Sequence, residues 1–169
     1  AAAVVLDVRT YVRGVADSKV LTALARERAF GRIRHVALAC EVAMVSPADI
    51  DRINIHQASL LAMRQAILAL SPAPDFVLVD GFAIPGLPMP QRAIIGGDRK
   101  SRAIAAASII AKVTRDRLMH DLHARDPRYG FDQHKGYATA AHLAAVSRFG
   151  YSDEHRRTFR PPSLFDTVT

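Results

Sequence analysis

Apolar positions in this chain fall into short runs divided by turn residues, and their spacing predicts strands alternating with helices. Residues 1–8 alternate weakly and read as a strand, followed by a loop through Asp17-Ser18-Lys19. Thr22 stands where a helix cap belongs, and from 23 to about 34 Leu24, Phe30 and Ile33 oppose Arg26, Arg28 and Arg32. A second strand is expected over 35–45. Ser46 with Pro47 behind it is a capping residue followed by proline at the first helical position, so a short helix begins there. Asn54 interrupts it, and helix resumes over 55–70 until Ser71-Pro72-Ala73-Pro74 stops it. Strands at 76–79 and 92–95 flank a proline-rich stretch, 85–90, that must be a loop. Ser101 caps a long helix, 102–124, whose first half is small enough to lie close against a sheet; a last helix, 140–149, ends at Gly150. With no repeat, low-complexity tract or long linker, residues 1–169 read as one α/β domain.

Composition narrows the class. Half of the 169 residues are hydrophobic, enough for a real core, and no apolar run approaches the ~18 residues of a membrane span. The single cysteine, Cys40, has no partner for a disulfide or a zinc cluster within the chain, so a reducing compartment, the cytoplasm, is expected, with no membrane association. The net charge of +7 is uneven: residues 91–160 hold 14 Lys and Arg against 7 Asp and Glu. Such a field concentrates polyanions and is the footprint of a nucleic-acid protein, although a generally basic, solvated surface has the same composition.

Two aspartates close apolar runs, Asp80 in Phe76-Val77-Leu78-Val79-Asp80-Gly81 and Asp98 in Ala93-Ile94-Ile95-Gly96-Gly97-Asp98. Strand ends form the usual ligand crevice of α/β folds, and paired carboxylates there suit a hard divalent cation; an Asp before Gly equally caps a turn. Arg99 and Lys100 beside Asp98 suit phosphate next to metal. Lys112, Arg115 and Arg117 on the long helix either track phosphates or form a solvated face. His120 and His123, at i and i+3, read as exposed polar residues because no acidic third ligand stands beside them. Between Tyr129 and Thr139, aromatics, glycines and cations interleave, a pattern that stacks rings on sugars or bases while cations hold phosphate. Tyr129 and Phe131 could equally fold over the core edge, Tyr137 is the better stacking candidate, and His155-Arg156-Arg157 reads most simply as a solvated tail.

Taken together these segments closely resemble ribonuclease HII, the prokaryotic type 2 ribonuclease H, over almost the whole chain. The carriers are Asp17-Ser18-Lys19, Asn54-Ile55-His56-Gln57-Ala58, Val79-Asp80-Gly81, Gly97-Asp98, Ala107 through Asp116, His134-Lys135-Gly136-Tyr137 and Gly150 through Phe159. The resemblance implies a ribonuclease H-like mixed sheet flanked by helices, with 126–169 a C-terminal extension that contributes to substrate binding. It implies a monomeric endoribonuclease of DNA replication and repair with no membrane association, acting with two Mg²⁺ or Mn²⁺ ions. Its substrates would be RNA/DNA hybrids and ribonucleotides embedded in duplex DNA, cut to leave 3′-hydroxyl and 5′-phosphate ends.

Position by position, Asp80 resembles the third and Asp98 the fourth member of the family's Asp-Glu-Asp-Asp quartet. Tyr137 resembles the tyrosine that stacks on the sugar at the RNA-to-DNA junction. Ser18 and Lys19 match positions near the bound strand, and Asn54, Ser108, Lys112 and Arg115 match positions of strand contact or support. The sequence departs from the family pattern in three ways. No strand with an adjacent Asp-Glu pair and Gly-Arg-Gly precedes residues 1–8, a central strand of the sheet is absent between residues 1–8 and 76–80, and Gly96 stands where relatives commonly carry Lys. The chain therefore reads as a ribonuclease HII truncated at its N-terminus, with an opened sheet. The rival reading is a nucleic-acid-binding remnant that no longer cleaves.

Overall fold

The computed structural model describes residues 1–7, 9, 12, 14, 15 and 21–159. Its contacts form two units, one of Ala1–Val45 with His56–Val113, the other of Ser46–Ile55 with the chain from Thr114 onward.

In the first unit, β1 (Ala2–Val5) pairs antiparallel with β2 (Ala39–Val42), Ala2 opposite Val42. A second sheet pairs β3 (Val77–Asp80) parallel with β4 (Gln91–Ile94), Val77 opposite Gln91. The proline-rich connection between β3 and β4 is anchored by Ile84, which is 1% exposed. Gln91 fixes that residue from both sides, accepting from its backbone N–H at 2.7 Å and donating to its carbonyl at 2.6 Å. A buried backbone pair is thereby satisfied by one carboxamide.

Helix α1 (Ala23–Val36) starts where Thr22 accepts a hydrogen bond from Ala25 N–H at 3.2 Å. The strand expected over 35–45 is shorter than the sequence pattern suggested, because α1 runs on through His35 and Val36 and closes with Ala37 N–H on the Ile33 carbonyl at 2.8 Å. These two residues bring Val36 against the core around Ile33. Helix α2 (Pro47–Leu68) contains the expected break at Asn54. Helix α3 (Arg102–Arg125) buries Ala106, Ile109, Ile110 and Val113, an i, i+3, i+4, i+7 face packed in one cluster with Ala29 and Ile33. Full burial of each isoleucine contributes roughly 2 kcal/mol. Cys40 is half-buried beside the same cluster, and burial pushes its thiol above the ordinary range, so it is a poor nucleophile.

β1 and β3 remain in separate two-stranded sheets. Both line one open cavity of about 460 Å³, walled on the helical side by Ala103, Ile104, Ala107 and Ser108. The gap anticipated between residues 1–8 and 76–80 is open, and the strands beside it have not closed it.

The second unit carries a 3₁₀ turn at Pro127–Tyr129, α4 (Phe131–His134) and α5 (Ala140–Phe149). Thr139 caps α5, accepting from His142 N–H at 3.3 Å. Met119, Leu122, Tyr129, Phe131 and Val146 form its core. Residues 129–139 are thus more ordered than a loop, because burial of Tyr129 and Phe131 winds the segment into a helical turn. No helix among the described residues is long and apolar enough to cross a membrane.

Candidate active site

Asp80 is the last residue of β3, and Gly81, at φ +82°, turns the chain away. The ladder continues one step, Gly81 N–H donating to the Ile94 carbonyl at 3.0 Å, so the two strand ends stay side by side. Gly97 N–H then donates to Asp80 Oδ1 at 2.8 Å. That approach requires glycine: a Cβ on Gly97 would lie 2.5 Å from Ile104 Cδ1 and 3.3 Å from Asp80 Oδ1. The bond holds the 3₁₀ turn Gly97–Arg99 to the end of β3, and Asp98, within that turn, is buried at 8% exposure. Arg99 and Lys100 are both exposed, and Lys100 Nζ donates to the Ile95 carbonyl at 2.8 Å.

Ser108 lines the same cavity as Asp80, and Lys112 follows it one turn later on α3. Asp80, Asp98, Ser108 and Lys112 all belong to the first unit. Asp80 and Asp98 are oxygen donors of the right chemistry for Mg²⁺ or Mn²⁺, but among the described residues no group of three or more His, Cys, Asp or Glu is arranged to hold a metal. The pair therefore fits a cation completed by water and a substrate phosphate, the manner in which Mg²⁺ is commonly held, and does not fit an all-protein cage.

In the second unit Asn54 takes φ +66° and ψ 165°, a region nearly reserved for glycine, at a cost of about 1–3 kcal/mol. Strain of this kind in an exposed asparagine points to a task other than helix formation. Arg115 Nη2 donates to the Lys135 carbonyl at 3.1 Å, bracing the segment that leads into Tyr137. The Tyr137 ring is 64% exposed while its backbone is held on both sides, N–H to the His134 carbonyl at 2.9 Å and carbonyl to Thr139 N–H at 2.8 Å. An exposed aromatic on an anchored backbone is a stacking platform. Ser18 and Lys19 lie outside the described residues.

Of the two alternatives open for Tyr129 and Phe131, the structure shows core burial: they are 3% and 4% exposed, with rings stacked 5.5 Å apart. His155 is no solvated tail residue: it is 9% exposed, among Tyr129, Phe131 and His142. His134 is also buried, its Nε2 on the Tyr129 carbonyl at 2.6 Å. Sequence gave no periodic signal for this cluster, because its histidines come from three separate segments. Of the two histidines on α3, His120 is exposed with its Nε2 2.8 Å from Lys135 Nζ, whereas His123 is half-buried with Nδ1 3.1 Å from Asp132 Oδ1. Asp51 holds the segment near the C-terminus, accepting from Arg157 N–H at 2.7 Å and Thr158 N–H at 2.9 Å. Those donors hold its carboxyl below the ordinary range, the Thr158 hydroxyl most of all.

The family model for ribonuclease HII matches residues 1–162. Among curated proteins, the chain is 52% identical over 165 residues to ribonuclease HII of Xanthomonas axonopodis pv. citri, covering 96% of this chain and 68% of that protein. It is 55% identical over 161 residues to the Delftia acidovorans protein, with 95% and 68% covered, and 52% identical to the Geobacillus thermodenitrificans protein, with 95% and 62% covered. The chain thus spans about two thirds of the length of the curated relatives it matches. Among solved structures, ribonuclease H2 of Pyrococcus horikoshii matches with a TM-score of 0.71 at 26% identity, over 87% of this chain and 77% of that one. Ribonuclease HII of Archaeoglobus fulgidus, solved in complex with PCNA, matches at 0.70 and 25% identity, over 88% and 79%.

Proposed function

Because this chain belongs to the ribonuclease HII family, we propose that it acts on RNA paired with DNA, as a metal-dependent endoribonuclease whose carboxylates include Asp80 and Asp98. The substrates are RNA/DNA hybrids and ribonucleotides embedded in duplex DNA, and the products carry 3′-hydroxyl and 5′-phosphate ends. The observation that supports this reading is the hydrogen bond from Gly97 N–H to Asp80 Oδ1, which ties the residue before Asp98 to the end of β3. When bound, Mg²⁺ or Mn²⁺ would activate water and steady charge on the phosphate in a two-metal displacement.

The chain's own residues do the rest. Asp80 and Asp98 hold the cations, with Gly97 N–H fixing one Asp80 oxygen so that the carboxylate keeps its orientation. Lys112 and Ser108, on consecutive turns of α3, meet the phosphate strand, and Arg115 and Asn54 are residues of strand contact or support. Tyr137 presents its exposed ring to the sugar where ribose gives way to deoxyribose. The basic balance of residues 91–160 supplies attraction that weakens with salt.

A second reading is favoured by one observation, the absence of a third metal-binding side chain near the pair among the described residues. On that reading these 169 residues bind hybrid but cleave it slowly or not at all. Incubating the purified chain with a labelled RNA/DNA hybrid and Mg²⁺, beside the same hybrid in DNA/DNA form, separates the two. Cleavage to 3′-hydroxyl ends that disappears in Asp80→Asn supports the enzyme. Salt-sensitive, hybrid-preferring binding without cleavage supports the binding remnant, and equal indifference to both duplexes overturns both.

A further inference from the structure

The three buried histidines of the second unit meet backbone groups whose roles are fixed, and those partners settle where each proton sits. The Ser152 N–H points at His155 Nδ1 from 3.1 Å, so that nitrogen accepts and the neutral ring carries its proton on Nε2. The Ser152 hydroxyl, 2.7 Å from the same nitrogen, adds a second contact. His142 Nδ1 lies 2.9 Å from the Tyr137 carbonyl, which can only accept, so His142 carries its proton on Nδ1. Its Nε2 is then the acceptor for His155 Nε2–H, 3.1 Å away. His134 stacks on His142 with ring centres 4.2 Å apart, accepting Gly136 N–H on Nδ1 at 3.2 Å.

The result is a directional chain: Ser152 N–H to His155, His155 Nε2–H to His142, His142 Nδ1–H to the Tyr137 carbonyl. We propose that His142, oriented by His155, is the positioning residue for Tyr137, and that this chain of neutral imidazoles fixes the loop whose ring meets the nucleic acid. The inference rests on the reading of Tyr137 as a substrate contact. A proton added to His142 would set two N–H groups face to face at the His155 junction, and one added to His155 would do the same at Ser152. Either breaks the chain. Burial pushes His155 down to about 4 and His142 below its ordinary value, which keeps both neutral near pH 7. Of the groups around them, His134 adds a further basic ring, and Tyr129, Phe131 and Tyr151 are neutral ring neighbours. Asp126 is the acid that favours a protonated His155, but Arg128 engages both its oxygens, at 2.8 and 2.6 Å.

The direct test is ¹⁵N NMR of the histidine side chains in the 169-residue chain at pH 7.5. Protons on Nδ1 of His142 and on Nε2 of His134 and His155 are expected; His142 protonated on Nε2, or either relay ring doubly protonated, overturns the chain. Positioning is read from hybrid binding by two variants. His142→Asn keeps an amide donor near the place of Nδ1, whereas His142→Gln keeps only the end facing His155. Loss of the Tyr137 contact in His142→Gln should weaken hybrid binding by about tenfold, with His142→Asn close to the parent. Parental affinity in both, or an equal loss in both, overturns it. Should His142→Gln not fold, amide exchange of residues 136–139 in the parent decides: opening in step with histidine protonation supports the relay, and unchanged protection with protonated rings refutes it. Tyr137→Ala separates the two readings, since parental hybrid affinity there sinks the substrate contact while leaving the tautomer pattern intact.

Discussion

The unit that carries Asp80 and Asp98 leaves an open cavity of about 460 Å³ between two small sheets, whereas the unit that carries Tyr137 fills its interior with aromatic and imidazole rings. The first packs aliphatic side chains against the small residues of α3, and its polar chemistry sits beside the end of β3, around the bond from Gly97 N–H to Asp80. The second buries polar rings, and each of them needs a directional partner because an unpaired buried polar group costs about 1–3 kcal/mol. An apolar gap tolerates change in volume, while a satisfied polar network tolerates change in neither shape nor protonation. The two units should therefore respond to different perturbations.

The largest contrast comes from Phe131, which touches Tyr129, His134, His142 and His155. Phe131→Ala should cost about 3–5 kcal/mol, read by amide exchange as lost protection in the second unit with residues 77–110 little changed. Equal loss in both units would break the comparison.

Acid should act next most strongly, and again on one side. His155 titrates near 4 in the folded chain and near 6.5 when unfolded. Below about 6.5 the unfolded chain gains a proton that the folded one does not, so stability is complete above that pH and falls as pH drops toward 4. The loss is on the order of 3 kcal/mol by the bottom of that window. Urea midpoints between pH 7.5 and 4 should fall in the parent and flatten in His155→Gln; a parent curve without slope over that window would contradict the neutral burial of His155.

The smallest effect sharpens the other side. Ala107 lines the cavity, and Ala107→Leu should raise thermal stability by about 1 kcal/mol if the space accepts a larger side chain. A loss of stability would mean that the cavity wall is less open than its volume implies.

The same contrast explains what was legible in the sequence. Helix starts at Thr22, Ser46 and Ser101, the break at Asn54 and the placement of the four strands seen among the described residues followed from caps, prolines and apolar runs, because these are local signals. Asp80 and Asp98 stood out because each closes an apolar run, the place where strands leave the core, and turn capping was the local alternative. The histidine cluster was not legible, since His134, His142 and His155 look polar in sequence and only tertiary packing brings their rings together. Asp51 was equally silent: its partners lie more than 100 residues away along the chain. Length was misjudged where a helix could run on by two residues, as α1 does to bring Val36 against the core.

Everything proposed for catalysis depends on Asp80 and Asp98 acting as one cation site. Titrating Mn²⁺ into the chain bound to an RNA/DNA hybrid, with electron paramagnetic resonance to count the bound ion, tests that directly. The account predicts hybrid-dependent Mn²⁺ binding that is lost in both Asp80→Asn and Asp98→Asn. Variants that bind hybrid as the parent does and take up Mn²⁺ undiminished would contradict it.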